Sequence, residues 1–264
     1  MKKYTFLFIL LPFIACKEVK KEAIVSNDTI ESTIDIKTYP DALEKVFKAH
    51  GGVAKWKEQQ TLTYVVPKPN NPETHTVDLQ NRNERIDTPK YSIGFDGKAW
   101  VLNGEESYKG NPEFYHNLMF YFYAMPFVLA DDGIIYSETD DLVYEGKSYP
   151  GIRISYNAGV GISPKDEYFL HYDAETHQMQ WLGYTVTYRS GEKSDKVNGI
   201  RYNDWATYSG LALPNSISWY KVEEGTITEL RNTVPFEKVN VSDKALSADF
   251  YNKPEKAEYF TKPE

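Results

Sequence analysis

Cysteine is all but absent: Cys16 is the only one in 264 residues. One cysteine excludes an intramolecular disulfide and any cysteine-rich zinc or iron–sulfur centre. Basic charge is in the minority, with 30 Lys and Arg against 38 Asp and Glu and a net charge of −8. That balance speaks against a nucleic-acid partner, whose capture needs a basic face that displaces counterions. No apolar run reaches the roughly 20 residues that a membrane-spanning helix requires. H-E-x-x-H, G-x-S-x-G, P-loop and dinucleotide fingerprints are all missing. Aromatic residues are abundant: 21 Tyr, 13 Phe and 5 Trp, or 15% of the chain. Such content argues against disorder over most of the length, and the length allows a substantial core. Composition alone describes an acidic, tyrosine-rich globular body and assigns it no activity.

Residues 1–16 read MKKYTFLFILLPFIAC. Lys2 and Lys3 precede an apolar stretch, Phe6 to Ile14, too short to span a bilayer and of the length of a signal peptide. Phe13-Ile14-Ala15-Cys16 resembles a bacterial lipobox, with Phe13 where Leu is usual. The resemblance implies cleavage after Ala15 and lipidation of Cys16; an ordinary secretory signal with an incidental cysteine is the alternative. Loss of Lys2 and Lys3 would take the net charge from −8 to −10. Acyl chains, at about 0.8 kcal/mol per buried methylene, would then do the anchoring. Residues 17–38 contain no Gly and no aromatic residue and show no sustained period. They read as a flexible tether spanning roughly 25 Å. The expected organisation is a signal peptide at 1–15, a lipidated Cys and tether at 16–38, and a single domain at 39–264.

Pro40 and Asp41 suit the first turn of a helix, and Leu43, Val46, Phe47 and His50 share one of its faces. Gly51-Gly52 supplies a left-handed stop, and a second short turn carries Trp56. Beyond Glu58 the period drops to two, with turns rich in Gly, Asn and Asp. Thr61–Val66, Thr74–Gln80 and Tyr91–Phe95 read as strands, and Asp96-Gly97 joins the last to Lys98–Leu102 in a hairpin. Further strands are expected at Ile134–Glu138, Leu142–Tyr144, Tyr149–Tyr156, Glu167–Tyr172 and Met179–Arg189, then Ile200–Tyr208, Leu213–Val222 and Thr226–Arg231. No helix alternates with them, so the pattern is an antiparallel meander curling into a barrel or half-barrel. Residues 111–130, NPEFYHNLMFYFYAMPFVLA, interrupt it with an expected helix that is apolar nearly all round. Such a helix plugs a core or lies against a hydrophobic cavity.

Catalytic patterns are sparse. His171, Asp173, Glu175 and His177 would share one face of a strand as metal ligands, but Asp-Ala-Glu-Thr reads better as a solvated turn. The acidic pairs Asp131-Asp132, Asp140-Asp141 and Glu223-Glu224 would point to opposite faces on a strand and could not cooperate, and in turns they would be solvated. His116 reads as a hydrogen-bonded core residue. No metal and no cofactor is expected. Tyrosines on strands suit the half-wet wall of a cavity, and sugar-stacking platforms explain fewer of them.

Several segments together resemble an uncharacterised bacterial lipoprotein family: Ala49-His50-Gly51-Gly52 with Trp56, Phe95-Asp96-Gly97-Lys98 with Trp100, Phe114-Tyr115-His116-Asn117, Pro126 through Asp131, Tyr172 through Thr176 with Trp181, and Tyr184 through Tyr188. More distantly the chain resembles the lipoprotein-localisation-factor (LolA/LolB-like) superfamily, whose half-barrel encloses an apolar cavity for acyl chains. Ala174 stands where Pro is common in the D-x-E-T hairpin of that group. The resemblance implies a mainly β (α+β) fold: a curved antiparallel sheet forming a half-barrel, with an N-terminal helix and an aromatic helix packed in its concave side. It further implies a non-enzymatic envelope lipoprotein, placed at the outer membrane on its periplasmic or surface face. Its partners would be the membrane, through the lipid anchor at Cys16, and a lipid or lipoprotein acyl chain. Trp100, Phe114, Leu118, Phe122, Met125 and Phe127 are the candidate lining. Two alternatives stay open: an envelope hydrolase using His116, Asp131 or the 171–177 cluster, and a surface glycan-binding or structural lipoprotein.

Overall fold

A computed structural model describes residues 38–103, 108–157, 165–188 and 190–261. The expected signal peptide, Cys16 and most of the tether lie outside the described residues. The first element is α1 (Asp41–Ala49), with Asp41 and Glu44 in its first turn and Leu43, Val46 and Phe47 buried along one face. Gly51 ends it at φ +105°, and a Cβ there would stand 2.3 Å from the carbonyl oxygen of Gly210. Only glycine meets both demands. After α2 (Val53–Glu58), five strands run as a meander: β1 (Thr61–Val66), β2 (Glu73–Asp78), β3 (Glu84–Asp87), β4 (Tyr91–Phe95) and β5 (Ala99–Asn103).

The aromatic segment follows, and it is not one helix. It breaks into α3 (Pro112–Tyr115), α4 (Leu118–Tyr123) and a 3-10 turn at Phe127–Ala130. Asn111 caps α3 by accepting the Phe114 amide. Asn117 opens α4, its carbonyl accepting the Tyr121 amide. Asn favours helix starts over helix interiors, and Pro126 has no amide to continue a helix. Two local rules therefore overrode the helical spacing of the apolar residues.

Seven more strands form a second meander: β6 (Ile134–Tyr144), β7 (Lys147–Tyr156), β8 (Tyr168–Tyr172), β9 (Met179–Tyr184), β10 (Asn198–Tyr208), β11 (Leu211–Glu223) and β12 (Thr226–Pro235). Glu145-Gly146, Ser209-Gly210 and Glu224-Gly225 all have positive φ at both positions, the two-residue turn whose twist matches flanking strands. β13 (Glu237–Ser242) and β14 (Glu258–Tyr259) then return to the first sheet. The two seven-stranded antiparallel sheets run β13-β1-β2-β3-β4-β5-β14 and β12-β11-β10-β9-β8-β7-β6. Phe236 alone separates β12 from β13, so one bent strand belongs to both sheets. The fold is mainly β, a curved sheet not closed into a barrel.

Relative to the sequence reading, β6 merges two expected strands and β9 stops at Tyr184, while β3, β13 and β14 are additional. The main core fills the space that the sheets embrace, joining α1, α4 and the 3-10 turn to Leu62 and Tyr64 of β1 and to Ile154, Leu170, Leu182, Ile200 and Ile217 of the second sheet. A smaller apolar cluster, centred on Tyr149, Trp181 and Ile227, is separate from it.

Candidate ligand-binding cavity

Helical spacing survives the break in the aromatic segment far enough to place Phe114, Leu118 and Phe122 on one side. These three line a cavity of about 280 Å³. The facing wall comes from the second sheet: Tyr156 ends β7, Tyr168 opens β8 and Tyr184 ends β9, with Val186 and Tyr188 beyond. Period two puts Tyr156, Tyr168 and Tyr184 on the same side as Ile154, Leu170 and Leu182, so they extend the core face toward solvent.

Their hydroxyls are arranged among themselves. Tyr121 and Tyr156 share a hydrogen bond, and Tyr184 accepts the indole N–H of Trp219 at 3.2 Å. Tyr168 packs 5.7 Å from Tyr121 and 5.9 Å from Tyr156. Burial pushes the Tyr121 phenol up to about 12 and raises Tyr168 well above its ordinary value. All stay neutral at physiological pH and give the wall weak polarity without charge.

Charge is confined to a few lining residues. Arg82 donates to both oxygens of Asp131 at 2.8 and 3.0 Å, and its guanidinium lies 4.8 Å over the Phe120 ring. Asp166 accepts the amide and hydroxyl of Thr187 at 2.6 and 2.7 Å, and burial raises its pKa.

Next to this cavity, the residue after Phe114 ties α3 to the first sheet. Tyr115 donates to Glu73 at 2.6 Å, and Lys68 donates to the same carboxylate at 2.8 Å. Glu73 faces His75 at 3.5 Å, and the other ring nitrogen of His75 lies 2.9 Å from Glu84. Glu73, His75 and Glu84 are all buried. Alternation on β2 puts Glu73 and His75 on one face, where Tyr64 stacks on the imidazole at 4.7 Å. Buried charges of this kind persist only when paired and hydrogen-bonded.

The expected lining thus divides. Phe114, Leu118 and Phe122 come together at the cavity. Trp100, Met125 and Phe127 are fully buried elsewhere. Trp100, on β5, donates its indole N–H to the carbonyl of Tyr251 at 3.0 Å and lies so close to Gly94 that a Cβ there would be 2.3 Å from its ring. Phe127 stacks on Trp56 at 4.7 Å. The tyrosines of the facing wall, Arg82 and Asp166 were not singled out from the sequence, although strand parity with Ile154, Leu170 and Leu182 marks the tyrosines. Glu73-x-His75 on a strand was the corresponding signal for the buried cluster.

The groups weighed for hydrolysis do not converge. His116 is buried against Phe95 at 4.2 Å, and burial lowers its pKa to about 4. Asp131 lines the cavity in its ion pair with Arg82. The 171–177 segment is a hairpin in which Asp173 accepts the amides of Glu175 and Thr176. Among the described residues no group of His, Cys, Asp or Glu is placed to hold a metal ion.

The elements build a curved antiparallel sheet with an apolar cavity between its concave face and a helical cover. A LolA superfamily protein from Nitrosomonas europaea has that fold: it superposes with a TM-score of 0.50 at 11% identity, over 80% of this chain and 96% of the other. A DUF1329 family protein from Desulfovibrio piger matches with a TM-score of 0.49 at 11% identity, over 81% of this chain and 98% of the other. By the first of these likenesses the chain has the fold of that LolA superfamily protein. No family model matches its sequence, and no curated protein does.

Proposed function

We propose that this chain is a lipid-anchored envelope protein that holds an apolar ligand, an acyl chain of a lipid or lipoprotein, in the cavity beneath α3 and α4. The observation that carries this reading is the wall itself: Phe114, Leu118 and Phe122 face a sheet wall of neutral tyrosines across about 280 Å³. Burial of apolar area in such a preformed groove would supply the affinity. The volume lies just below the roughly 300–1,000 Å³ usual for ligand pockets. It suits one chain and not the several chains of a triacylated lipoprotein together. The tyrosine hydroxyls and the Arg82–Asp131 pair would orient the polar end. The lipobox-like Cys16 supports envelope placement, and no catalytic step is invoked.

Native mass spectrometry of the full chain purified from membranes tests this, together with displacement of a fluorescent fatty acid. A stoichiometric lipid adduct is expected. Leu118→Trp, which fills the cavity from a partly exposed position, should cut fatty-acid affinity at least about tenfold. Unchanged affinity in Leu118→Trp, or no lipid on the native protein and no fatty-acid binding, would refute the reading.

A further inference from the structure

A second cavity, of about 190 Å³, opens on the other face of the second sheet. Along the central strands Leu170, Leu182 and Ile200 point to the main core, so Phe169, His171, Trp181, Gly183 and Gly199 point away from it. These five are cross-strand neighbours: His171 pairs with Trp181, Phe169 with Gly183, and Gly183 with Gly199. Two paired glycines inside a sheet forgo side-chain packing, a pattern found where something else approaches the backbone closely. A Cβ on Gly183 would meet Val197 at 3.1 Å, and one on Gly199 would meet Val222 at 3.2 Å. The glycines thus keep a floor clear between apolar walls. The edge strands β6 and β12 touch one another, and Leu142 and Ile227 join Trp181 in the small cluster beside this floor.

The charged groups that reach the cavity are carboxylates; Thr139 adds a hydroxyl that both donates and accepts, and the indole N–H of Trp181 is buried without a hydrogen-bond partner among the described residues. In β6, Thr139 lies opposite Gly151 and Leu142 opposite Tyr149, so Asp140 and Asp141 together face Pro150. A bulge of this kind re-aims side chains, and both aspartates line the cavity. This corrects the expectation that adjacent acids must point to opposite faces, which holds only for a regular strand. Asp141 accepts the Ser148 hydroxyl at 2.6 Å through one carboxylate oxygen, which leaves the other.

His171 also lines the cavity and is only 7% exposed. Its Nδ1 lies 3.3 Å from the Tyr149 carbonyl oxygen, which can only accept, so Nδ1 carries the proton and Nε2 the lone pair. The Nδ1 edge lies against Gly151, and Nε2 has no protein partner among the described residues. Burial lowers the His171 pKa, keeping the ring neutral. No Lys or Arg is among the lining residues.

Two carboxylates and an imidazole lone pair beside an apolar floor match a ligand that donates hydrogen bonds and carries positive charge. We propose that this cavity binds a small primary amine, its ammonium held by Asp140, Asp141 and Nε2 of His171 and its apolar body resting on the Gly183–Gly199 floor against Phe169. A cavity of roughly 150 Å³ accepts benzene, so the body is about one ring in size. This site is separate from the acyl-chain cavity and does not rest on that reading.

Calorimetry and saturation-transfer NMR on the full chain at pH 7 test it, with benzylamine, benzyl alcohol and benzoate as probes of one shape and three charges. Benzylamine should bind at least about tenfold more tightly than benzyl alcohol, and benzoate should not bind, because charge-assisted bonds carry the discrimination. Asp140→Asn with Asp141→Asn, both at exposed positions, should cut benzylamine affinity about tenfold or more while fatty-acid binding stays unchanged. Gly199→Val should abolish benzylamine binding by filling the floor. No saturable benzylamine binding, equal binding of the alcohol, or indifference to the double Asp→Asn change would overturn the proposal.

Discussion

Replacing Glu73 by Gln removes one charge from the buried cluster under α3 while keeping the side chain's size. Burial works to raise the Glu73 carboxyl, yet the His75 imidazole 3.5 Å away and the hydrogen bonds from Lys68 and Tyr115 outweigh it and hold the pKa at about 2, against 4.5 ordinarily. At about 1.4 kcal/mol for each tenfold change in acidity, that depression corresponds to about 3 kcal/mol of folding stability. The loss of one partner from a buried ion pair has a similar cost, about 3–5 kcal/mol. A depressed carboxylate stabilises the fold fully above pH 4.5 and loses its contribution as pH falls toward 2. His75 has the opposite sign: burial alone would lower it, but Glu73 and Glu84 raise it above 6.5. Its contribution is complete below 6.5 and is lost as pH rises through the folded value. Glu84, raised by burial, likewise favours the acid side. Urea unfolding of the full chain should therefore find greatest stability between about pH 4.5 and 6.5. Glu73→Gln should be less stable by about 3 kcal/mol at pH 7, with the deficit shrinking below pH 4.5. A deficit under about 1 kcal/mol at pH 7, or one that does not change between pH 7 and pH 3, would refute the account of the cluster.

Two further outcomes separate the core from the cavity and the anchor from the fold. Phe127→Ala removes the ring stacked on Trp56 and should cost about 3–5 kcal/mol in urea unfolding, with fatty-acid affinity of the folded protein unchanged because Phe127 does not line the cavity. If the lipobox reading holds, the wild-type protein should label with radioactive palmitate and partition with detergent, and Cys16→Ser should stay unlabelled and move to the aqueous phase.

Strand period and turn chemistry made most of the fold legible: β1 and β4 carry the expected limits, and Asp96-Gly97 does join two strands. What escaped depended on partners far along the chain. Glu84–Asp87 is four residues long with only Ile86 apolar, and it becomes a strand because β2 and β4 offer backbone partners on both sides. Glu237–Ser242 pairs with β1, from which it is separated by most of the chain. In the aromatic segment the spacing of Phe114, Leu118 and Phe122 was visible, and it places them on the cavity. Trp100, Met125 and Phe127 share the same apolar character. Which apolar side chains face a space and which face each other is decided by tertiary packing; the abundance of strand tyrosines suited a cavity wall, and strand parity marks which of them form it.

The cover of the cavity draws its hold from two different kinds of interaction. α3 and α4 are four and six residues long, too short to be stable on their own, so their position is set by tertiary contacts. On the first sheet the grip is ionic and buried, running from Tyr115 to Glu73 and Lys68. Toward the second sheet it is aromatic with added hydrogen bonds: Phe114 lies 4.4 Å from Tyr188 and Phe122 lies 5.0 Å from Tyr184, while Tyr202 donates to the Phe122 carbonyl at 2.7 Å and Tyr121 bonds Tyr156. The aromatic grip uses the same rings that line the cavity, so an apolar ligand that inserts between them must compete with it. The ionic grip uses none of the lining side chains and is unaffected by that competition. Entry of a chain is thus expected to loosen α3 from Tyr188 while the Tyr115–Glu73 link keeps it fastened to the first sheet, with α4 held by the buried bond from Tyr202 to the Phe122 carbonyl.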